Sequence, residues 1–255
     1  MKSIKSIYYH NPTPSQFERT VVWLQRKGYR FLTADEVMAC VGGDSPIDGR
    51  LAFLSLDDAW RSNLELIPVI EKCGVPITIF APVEPLESGN YWWEYMTREE
   101  REPFKKLDYA TFNSRLAELR TRQSLQRSCM TADELRRVAR HPLVSVQSHT
   151  LTHPILTNLP DDAVRREFVE SKTRLEEIIG QRVDYFSYPN GSYSIREVEV
   201  ARTAYKMAFT TDLRYIRRGD DLLALPRIEV TGRYWRDKLK FYNVWPIIKK
   251  LCLSD

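Results

Sequence analysis

Two histidines in this sequence have a spacing that favours metal chemistry. His149 and His153 stand four residues apart in "SHTLTHP", and the whole chain has four histidines. At that spacing two imidazoles lie on one face of a helical turn, near enough to share an ion. A surface helix also carries such a pair by chance, so the choice between a metal site and two unrelated histidines needs a third ligand.

An adjacent pair of acids offers that third ligand. Asp57 and Asp58 follow "LAFLSL" (51–56), an apolar run that predicts a buried strand. Neighbouring carboxylates repel unless a cation or a proton lies between them. Alternatively, either aspartate is the N-cap of the helix predicted at 61–74.

The acids and the histidines are expected at the same edge of a sheet. "LVSVQ" (143–147) predicts a second strand that ends just before His149. The carboxyl ends of parallel strands lie at one edge, where active sites gather. Asp58, His149 and His153 can therefore meet as one carboxylate and two imidazoles. This donor set suits Zn²⁺ first, and also Co²⁺, Ni²⁺, Mn²⁺ or Fe²⁺.

A turn at the end of a third predicted strand should reach the same place. "YPNGSYS" follows the run at 183–188, and its Pro-Asn-Gly can point a backbone N–H of Asn190 toward a developing oxyanion. We expect Tyr188 and Pro189 to line the substrate site. A plain connection between strand and helix explains these residues equally well.

The elements that must position these residues alternate between strand and helix. Such alternation predicts a parallel α/β sheet, either open or closed into a barrel. Predicted strands cover 4–9, 51–56, 75–81, 143–147, 183–188, 207–211 and 222–230. Predicted helices cover 15–28, 33–41, 61–74, 131–141, 160–180 and 194–206.

One long segment interrupts this alternation. Residues 84–130 form a charged, mostly helical insertion between a strand and a helix, and loops of this length are usually functional. Trp92 and Trp93 could line a substrate cleft, or they could anchor the insertion to the domain.

Composition excludes several classes of protein. The 255 residues carry a net charge of +4, without a dense basic block interleaved with aromatics in the body of the chain, so nucleic acid is not an expected partner. The four cysteines form no C-x-x-C pair. Neither a signal peptide nor an apolar run of 18 residues is present. We therefore predict a cytoplasmic protein.

Three of these stretches together resemble motifs of the polysaccharide deacetylase family, carbohydrate esterase family 4. The family's Thr-Phe-Asp-Asp-Gly, His-(Ser/Thr)-x-x-His-Pro and Arg-x-Pro-(Tyr/Phe)-Gly motifs correspond to "SLDDA" (55–59), "HTLTHP" (149–154) and "SYPNG" (187–191). The resemblance extends from about residue 4 to residue 230. It implies a distorted (β/α) barrel of about seven strands, covering residues 1–232 with the insertion at 84–130.

The resemblance also implies a role for each matching residue. Asp58, His149 and His153 would hold a divalent metal, and Asp57 would be the catalytic base. A bound metal lowers the pKa of a water, and a free carboxylate beside it can take the proton. The N–H of Asn190 would share the oxyanion. The implied reaction releases acetate or formate from the N-acyl group of an amino sugar.

The sequence departs from the family's motifs at three points. Ala59 replaces the glycine of the first motif, a change that we expect to be tolerated. Ser187 replaces the arginine of the third motif, and we expect Arg227 to approach Asp57 in its place; Arg227 could instead form an ordinary surface ion pair. The later Leu-x-His motif is missing, so either a metal-bound water or His10 must protonate the leaving amine. His10 could equally hold the N-terminal turn.

The C-terminal segment 233–255 mixes aromatic and basic residues. Such a segment can lie on an anionic membrane, which would hold the protein at the inner membrane surface, or it can pack on the barrel as a helix.

The sequence thus predicts a metal-dependent N-deacetylase that acts on a cell-surface glycan or its nucleotide- or lipid-linked precursor. The alternatives are a catalytically silent carbohydrate-binding barrel and a metallohydrolase of other small amides.

Overall fold

The computed structural model describes residues 2–231 and Asp237. Its strands are Ile4–Tyr9 (β1), Tyr29–Leu32 (β2), Arg50–Asp57 (β3), Ile77–Ala81 (β4), Val144–Ser148 (β5), Tyr185–Ser187 (β6), Met207–Phe209 (β7) and Ile228–Glu229 (β8). The α-helices are Pro14–Arg26 (α1), Ala34–Gly42 (α2), Ile67–Cys73 (α3), Val83–Ser88 (α4), Arg98–Lys105 (α5), Tyr109–Arg122 (α6), Ala132–Ala139 (α7), Asp161–Ile179 (α8) and Ile195–Ala204 (α9). Short 3₁₀ turns cover Arg61–Leu66, Trp92–Tyr95, Leu156–Asn158 and Pro189–Gly191.

These strands form one curled, parallel sheet. Seven of them follow the order β7-β6-β5-β4-β3-β1-β8, and β2 pairs beside the first half of β3. Phe209 forms a parallel bridge with Leu225, which brings the chain ahead of β8 against β7. The predicted distorted (β/α) barrel is confirmed.

The predicted strands differ from the structure at two places. β2 was not predicted, because its four residues lie between the end of α1 and the N-cap of α2 and offer too short a pattern. The strand predicted at 222–230 is reduced to Ile228–Glu229. Pro226 has no N–H to donate to a neighbouring strand, and Leu225 makes a single bridge.

Local sequence signals set the helix boundaries. The threonines at positions 13, 33 and 131 accept a backbone N–H while a Gln or Glu three residues later reaches back, which is the capping box. Gly74 and Gly180 end α3 and α8 in the left-handed conformation. These caps fix where each helix leaves the sheet and therefore where the intervening loops begin.

Apolar side chains fill the barrel interior below the predicted site. Phe53 of β3 stacks on Phe209 of β7 with ring centroids 5.0 Å apart, and Phe80 of β4 lies 5.5 Å from Phe209. Burial of each ring stabilises the fold by about 1.5–3 kcal/mol. This packing joins β3 and β4 to β7 across the barrel.

Among the described residues, no helix is long and apolar enough to cross a bilayer. The tail predicted at 233–255 lies outside the described residues except for Asp237.

Candidate active site

Asp58, His149 and His153 meet at the carboxyl edge of the sheet. One ligand atom from each lies within 4.8 Å of the others, and all three side chains are buried. Asp58 Oδ1 is 3.5 Å from His149 Nε2 and 3.2 Å from His153 Nε2. The structure thus brings together the three residues for which the sequence predicts a shared ion.

The reason for this proximity is not the predicted one. The segment after β5 is a loop rather than a helical turn, and Thr150 and His153 have φ angles of 72° and 56°. His153 N donates to Thr150 Oγ1 at 3.0 Å, which closes the loop on itself. The two imidazoles converge because this loop folds back, with ring centroids 4.8 Å apart.

A buried glutamate of α8 holds that loop. Glu167 accepts hydrogen bonds from the backbone N–H groups of Leu151 and Thr152, each at 2.9 Å, and from Thr152 Oγ1 at 2.7 Å. Its side chain is almost fully buried. The left-handed conformation of Thr150 and His153 is costly for residues other than glycine, so these three bonds stabilise a backbone that local preferences disfavour.

The His149 imidazole turns an unprotonated nitrogen toward the carboxylate of Asp58. His149 Nδ1 lies 2.7 Å from the carbonyl oxygen of Ser187, so this nitrogen carries the proton and Nε2 presents a lone pair to Asp58. Burial lowers the pKa of His149 to about 4, which keeps the ring neutral. Asp58 Oδ1 and His153 Nδ1 are buried without a hydrogen bond.

Asp58 remains ionised among these groups. Burial would raise the pKa of Asp58, but the imidazole of His153 beside it lowers that pKa below its ordinary range. Trp60 Nε1 donates to Asp58 Oδ2 at 3.0 Å and so turns Oδ1 toward the histidines. A carboxylate oxygen and an imidazole lone pair at this separation are stabilised by a cation, and the donor set fits a divalent ion.

Arg227 lies against the second aspartate. Its Nη1 donates to Asp57 Oδ1 at 2.7 Å and its Nη2 to Oδ2 at 2.8 Å. Further hydrogen bonds reach the Oγ atoms of Ser55 and Ser187 and the carbonyl oxygen of Thr210. Arg227 is fully buried, so the structure excludes the alternative of a surface ion pair.

Arg227 reaches Asp57 from below rather than from the carboxyl end of a strand. It precedes β8, and Ile7 pairs with both Ile228 and Leu54, which puts the Arg227 backbone deeper in the barrel than Asp57. The Arg227 guanidinium carbon lies 4.2 Å from the ring centroid of Tyr8. Burial would raise the pKa of Asp57, but this guanidinium holds it below its ordinary range, so Asp57 is an anion.

Strained backbone is concentrated in the loops of this site. Among the described residues, those other than glycine with a positive φ are Asp58, Ala59, Thr150, His153 and Asn190. Each belongs to one of the three sequence motifs, and such strain is typical of functional sites. The adjacent Gly191 admits no side chain, because a Cβ there would lie 1.9 Å from Thr211 Oγ1.

A cavity of about 410 Å³ opens above the cluster, a size that fits a small ligand. It is lined by Tyr8, His10, Asp57, Asp58, Trp60, Trp92, Trp93, Arg101, Lys105, His149, His153, Tyr188, Asn190 and Thr211. The predicted substrate-binding residue Pro189 is not part of this lining; it is buried in the turn between Tyr188 and Asn190.

The two tryptophans line the cavity and also pack the insertion onto the barrel. Trp92 packs in the apolar cluster of the insertion with Phe104, while its Nε1 donates to the carbonyl oxygen of His153 at 2.9 Å. Trp93 lines the cavity and lies edge-on to the His153 ring, with centroids 4.6 Å apart. Tyr91 Oη also donates to the carbonyl oxygen of Asp58 at 2.6 Å. The insertion therefore anchors both loops that carry the candidate metal ligands.

His10 lies at the edge of the cavity and is half exposed. Its Nδ1 is 3.9 Å from Glu229 Oε1, and its ring meets Tyr8 edge-on at a centroid distance of 5.5 Å. It is therefore within the cavity lining, as its predicted role in binding substrate requires.

Sequence reasoning did not identify Ser55, Glu167, Arg101 and Lys105. The sequence could have revealed Ser55, because this residue lies two positions before Asp57 on a strand and must share its face. The sequence could also have marked Glu167 as a buried acid, because it lies within the apolar stripe of α8. The two insertion cations carried no sequence signal that distinguishes them from surface charges.

Comparisons with known proteins agree with this geometry. The family model described as polysaccharide deacetylase matches residues 44–208, more than half of the chain. YxkH of Bacillus subtilis (strain 168), which is named as a polysaccharide deacetylase, is 23% identical over 218 residues, or 85% of this chain; the chain spans 64% of the length of that relative.

Two solved structures share the fold. The deacetylase PplD of Streptococcus pyogenes, in complex with acetate, superposes with a TM-score of 0.70 at 18% identity, covering 95% of this chain and 97% of PplD. IcaB of Ammonifex degensii gives a TM-score of 0.71 at 18% identity, covering 96% of this chain and 98% of IcaB. On the family match, this chain belongs to the polysaccharide deacetylase family.

Proposed function

We propose that this protein is a divalent-metal-dependent deacetylase that hydrolyses the N-acetyl or N-formyl amide of an amino sugar in a cell-surface glycan or its precursor. One observation carries the proposal: a carboxylate oxygen of Asp58 and the imidazole nitrogens of His149 and His153 converge beside an ionised Asp57, on the wall of a cavity large enough for a sugar. Family membership supports the same chemistry.

The metal would be held by Asp58 Oδ1 and the Nε2 atoms of His149 and His153. When bound, a divalent ion such as Zn²⁺ supplies Lewis-acid chemistry, polarising the amide carbonyl and making water more acidic. Asp57 takes the proton of the attacking water, and Arg227 keeps this carboxylate ionised and fixed in direction. The Asn190 N–H donates to the oxyanion.

Collapse of the tetrahedral intermediate breaks the C–N bond and requires a proton on the leaving amine. Asp57 holds one after it has accepted the proton of the water, and the imidazole of His10 is a second candidate donor in the cavity lining. The products are acetate or formate and a free amine on the sugar.

The test measures metal content and acetate release from N-acetylhexosamine substrates in wild type, in Asp57→Asn and in Asp162→Asn. Asp162 is an exposed acid of α8 and serves as the matched control. We expect bound metal in all three proteins, full activity in the control and a loss of about 10²–10⁴-fold in Asp57→Asn. A protein that binds sugar and metal but releases no acetate would instead be a silent barrel. A protein without metal, inert after addition of Zn²⁺ or Co²⁺, would refute the proposal.

The cytoplasmic location and the membrane contact of the tail stay predictions.

A further inference from the structure

Two cations from the insertion line the same cavity as the acids. Arg101 and Lys105 lie on α5 at a separation of four residues, which puts them on the same helix face. The acids in the lining are Asp57 and Asp58, both of which have partners near the sheet: Asp57 pairs with Arg227, and Asp58 with the histidines. Positive charge therefore remains on the insertion side of the cavity.

The Arg101 side chain is fixed but its terminal nitrogens are available. Its Nε donates to the carbonyl oxygen of Trp93 at 3.0 Å. Within residues 2–231, Nη1 and Nη2 have neither a hydrogen-bond partner nor a carboxylate within ion-pair distance. A guanidinium held in this way presents two parallel N–H donors, which suit two oxygens of one anion.

Lys105 has a partner that an anion can displace. Its Nζ lies 2.8 Å from Oε1 of Glu102, three residues earlier, and the Glu102 side chain is 73% exposed. Exposed pairs of this kind contribute little to stability, so an anionic ligand in the cavity can replace Glu102.

The helix that carries both cations is packed in place. Phe104, between them in sequence, stacks on Trp92 with ring centroids 6.0 Å apart. Asn158 Nδ2 donates to the carbonyl oxygen of Lys105 at 2.6 Å, which ties the end of α5 to the loop after His153. The cations are therefore positioned before any ligand binds.

Lys105 also marks where a longer substrate would leave the cavity. It lines both this cavity and an adjoining groove between the insertion and the His153 loop. The side chains of that groove include Leu107, Phe112 and Ile155. An anionic group at Lys105 would lie between the sugar and whatever is attached to it.

We propose that Arg101 and Lys105 form a subsite for a phosphate group attached to the amino sugar. This inference rests on the proposed deacetylase function, because it assigns the substrate of that same site. A phosphate provides two oxygens that can accept from the terminal nitrogens of Arg101. Its negative charge can pair with Lys105 inside the cavity. The substrate class is then a phosphorylated amino sugar, whether as a sugar phosphate, a nucleotide diphosphate sugar or a lipid-linked sugar.

The test compares deacetylation of N-acetylglucosamine, its 1-phosphate, its uridine diphosphate ester and an alkyl phosphodiester. The proteins are wild type, the double variant Arg101→Gln with Lys105→Gln, and the control Lys106→Gln, an exposed neighbour outside the cavity lining. We expect wild type and control to prefer a phosphorylated substrate by about tenfold or more in KM, since hydrogen bonds between charged groups have that effect. The preference should decrease with salt and vanish in the double variant.

The four substrates distinguish the possible carriers of the phosphate. Binding measurements distinguish a failure of the subsite from a failure of the proposed deacetylase function. A preference for the nucleotide or the alkyl ester over the simple phosphate identifies the class of carrier. Equal KM for neutral and phosphorylated sugars in wild type, or a preference retained in the double variant, would overturn the subsite. If wild type deacetylates none of them, calorimetric binding of the same ligands decides the subsite separately: tighter binding of the phosphates in wild type alone supports it, and equal binding refutes it.

Discussion

Removing the positive charge of Arg227 should destabilise the protein in a way that depends on pH. Arg227→Leu leaves the buried carboxylate of Asp57, which is 2% exposed, without the two hydrogen bonds at 2.7 and 2.8 Å. With the guanidinium gone, burial is the largest remaining influence and raises the pKa of Asp57 above that of the unfolded chain.

The sign and size of the effect follow from linkage. In wild type the lowered pKa of Asp57 contributes stability above the unfolded pKa, which is lost as pH falls through the folded pKa. In the variant the raised pKa reverses this, and folding loses about 1.4 kcal/mol for each pH unit between an unfolded pKa of about 3.9 and the raised folded pKa. The penalty is then up to about 1.5 kcal/mol at pH 5 and up to about 4 kcal/mol at pH 7, in the range for a broken buried ion pair.

Thermal unfolding followed by circular dichroism at both pH values measures this penalty. For a chain of this size we expect Tm to fall by about 8–16 °C at pH 7 and by markedly less at pH 5. The control Arg214→Leu removes a guanidinium that is 45% exposed and pairs with Asp220, and should cost less than about 1 kcal/mol at either pH. Adding Asp57→Asn to Arg227→Leu removes the buried charge and should restore at least half of the lost stability at pH 7. An equal loss at both pH values, or a double variant less stable than Arg227→Leu, would refute the reasoning.

Three further predictions concern the metal ligands and the cavity. Saturating Zn²⁺ at about 100 times its Kd should raise the Tm of chelator-treated wild type by about 5–10 °C and leave His149→Ala unchanged; equal shifts in both would place the ion elsewhere. Glu167→Ala should weaken Zn²⁺ binding by about 10–100-fold, because it removes all three loop hydrogen bonds, whereas the exposed Glu170→Ala on the same helix should bind normally. Trp93→Ala should raise KM about two- to tenfold; an unchanged KM would show that this ring does not touch the sugar.

The sequence determined the residues of the site more reliably than the reason for their proximity. Asp57-Asp58 at the end of one apolar run and His149 at the end of another were sufficient to place them on one edge of a parallel sheet, because strand direction alone sends carboxyl ends there. The spacing of His149 and His153 suggested a helical turn, and the structure has a loop with two left-handed residues. That conformation depends on Glu167. Its place in the apolar stripe of α8 marks it as a buried acid, but its contact with the loop joins distant segments and cannot be inferred from local patterns.

Tertiary structure decided which side chains surround these candidate ligands. The position of Ser187 showed that the arginine of the third motif was missing, but only the curled sheet brings Arg227 from before β8 onto Asp57, since that contact spans 170 residues. The insertion likewise has a helical sequence, whereas its packing on the loop after His153 is what turns Arg101 and Lys105 into the cavity. Local sequence therefore fixed which side chains end the strands, because that depends on nearest neighbours. The ionisation states of these side chains and their hydrogen-bond partners depend on contacts between distant segments. Those contacts exist only once the sheet has curled around its buried interior.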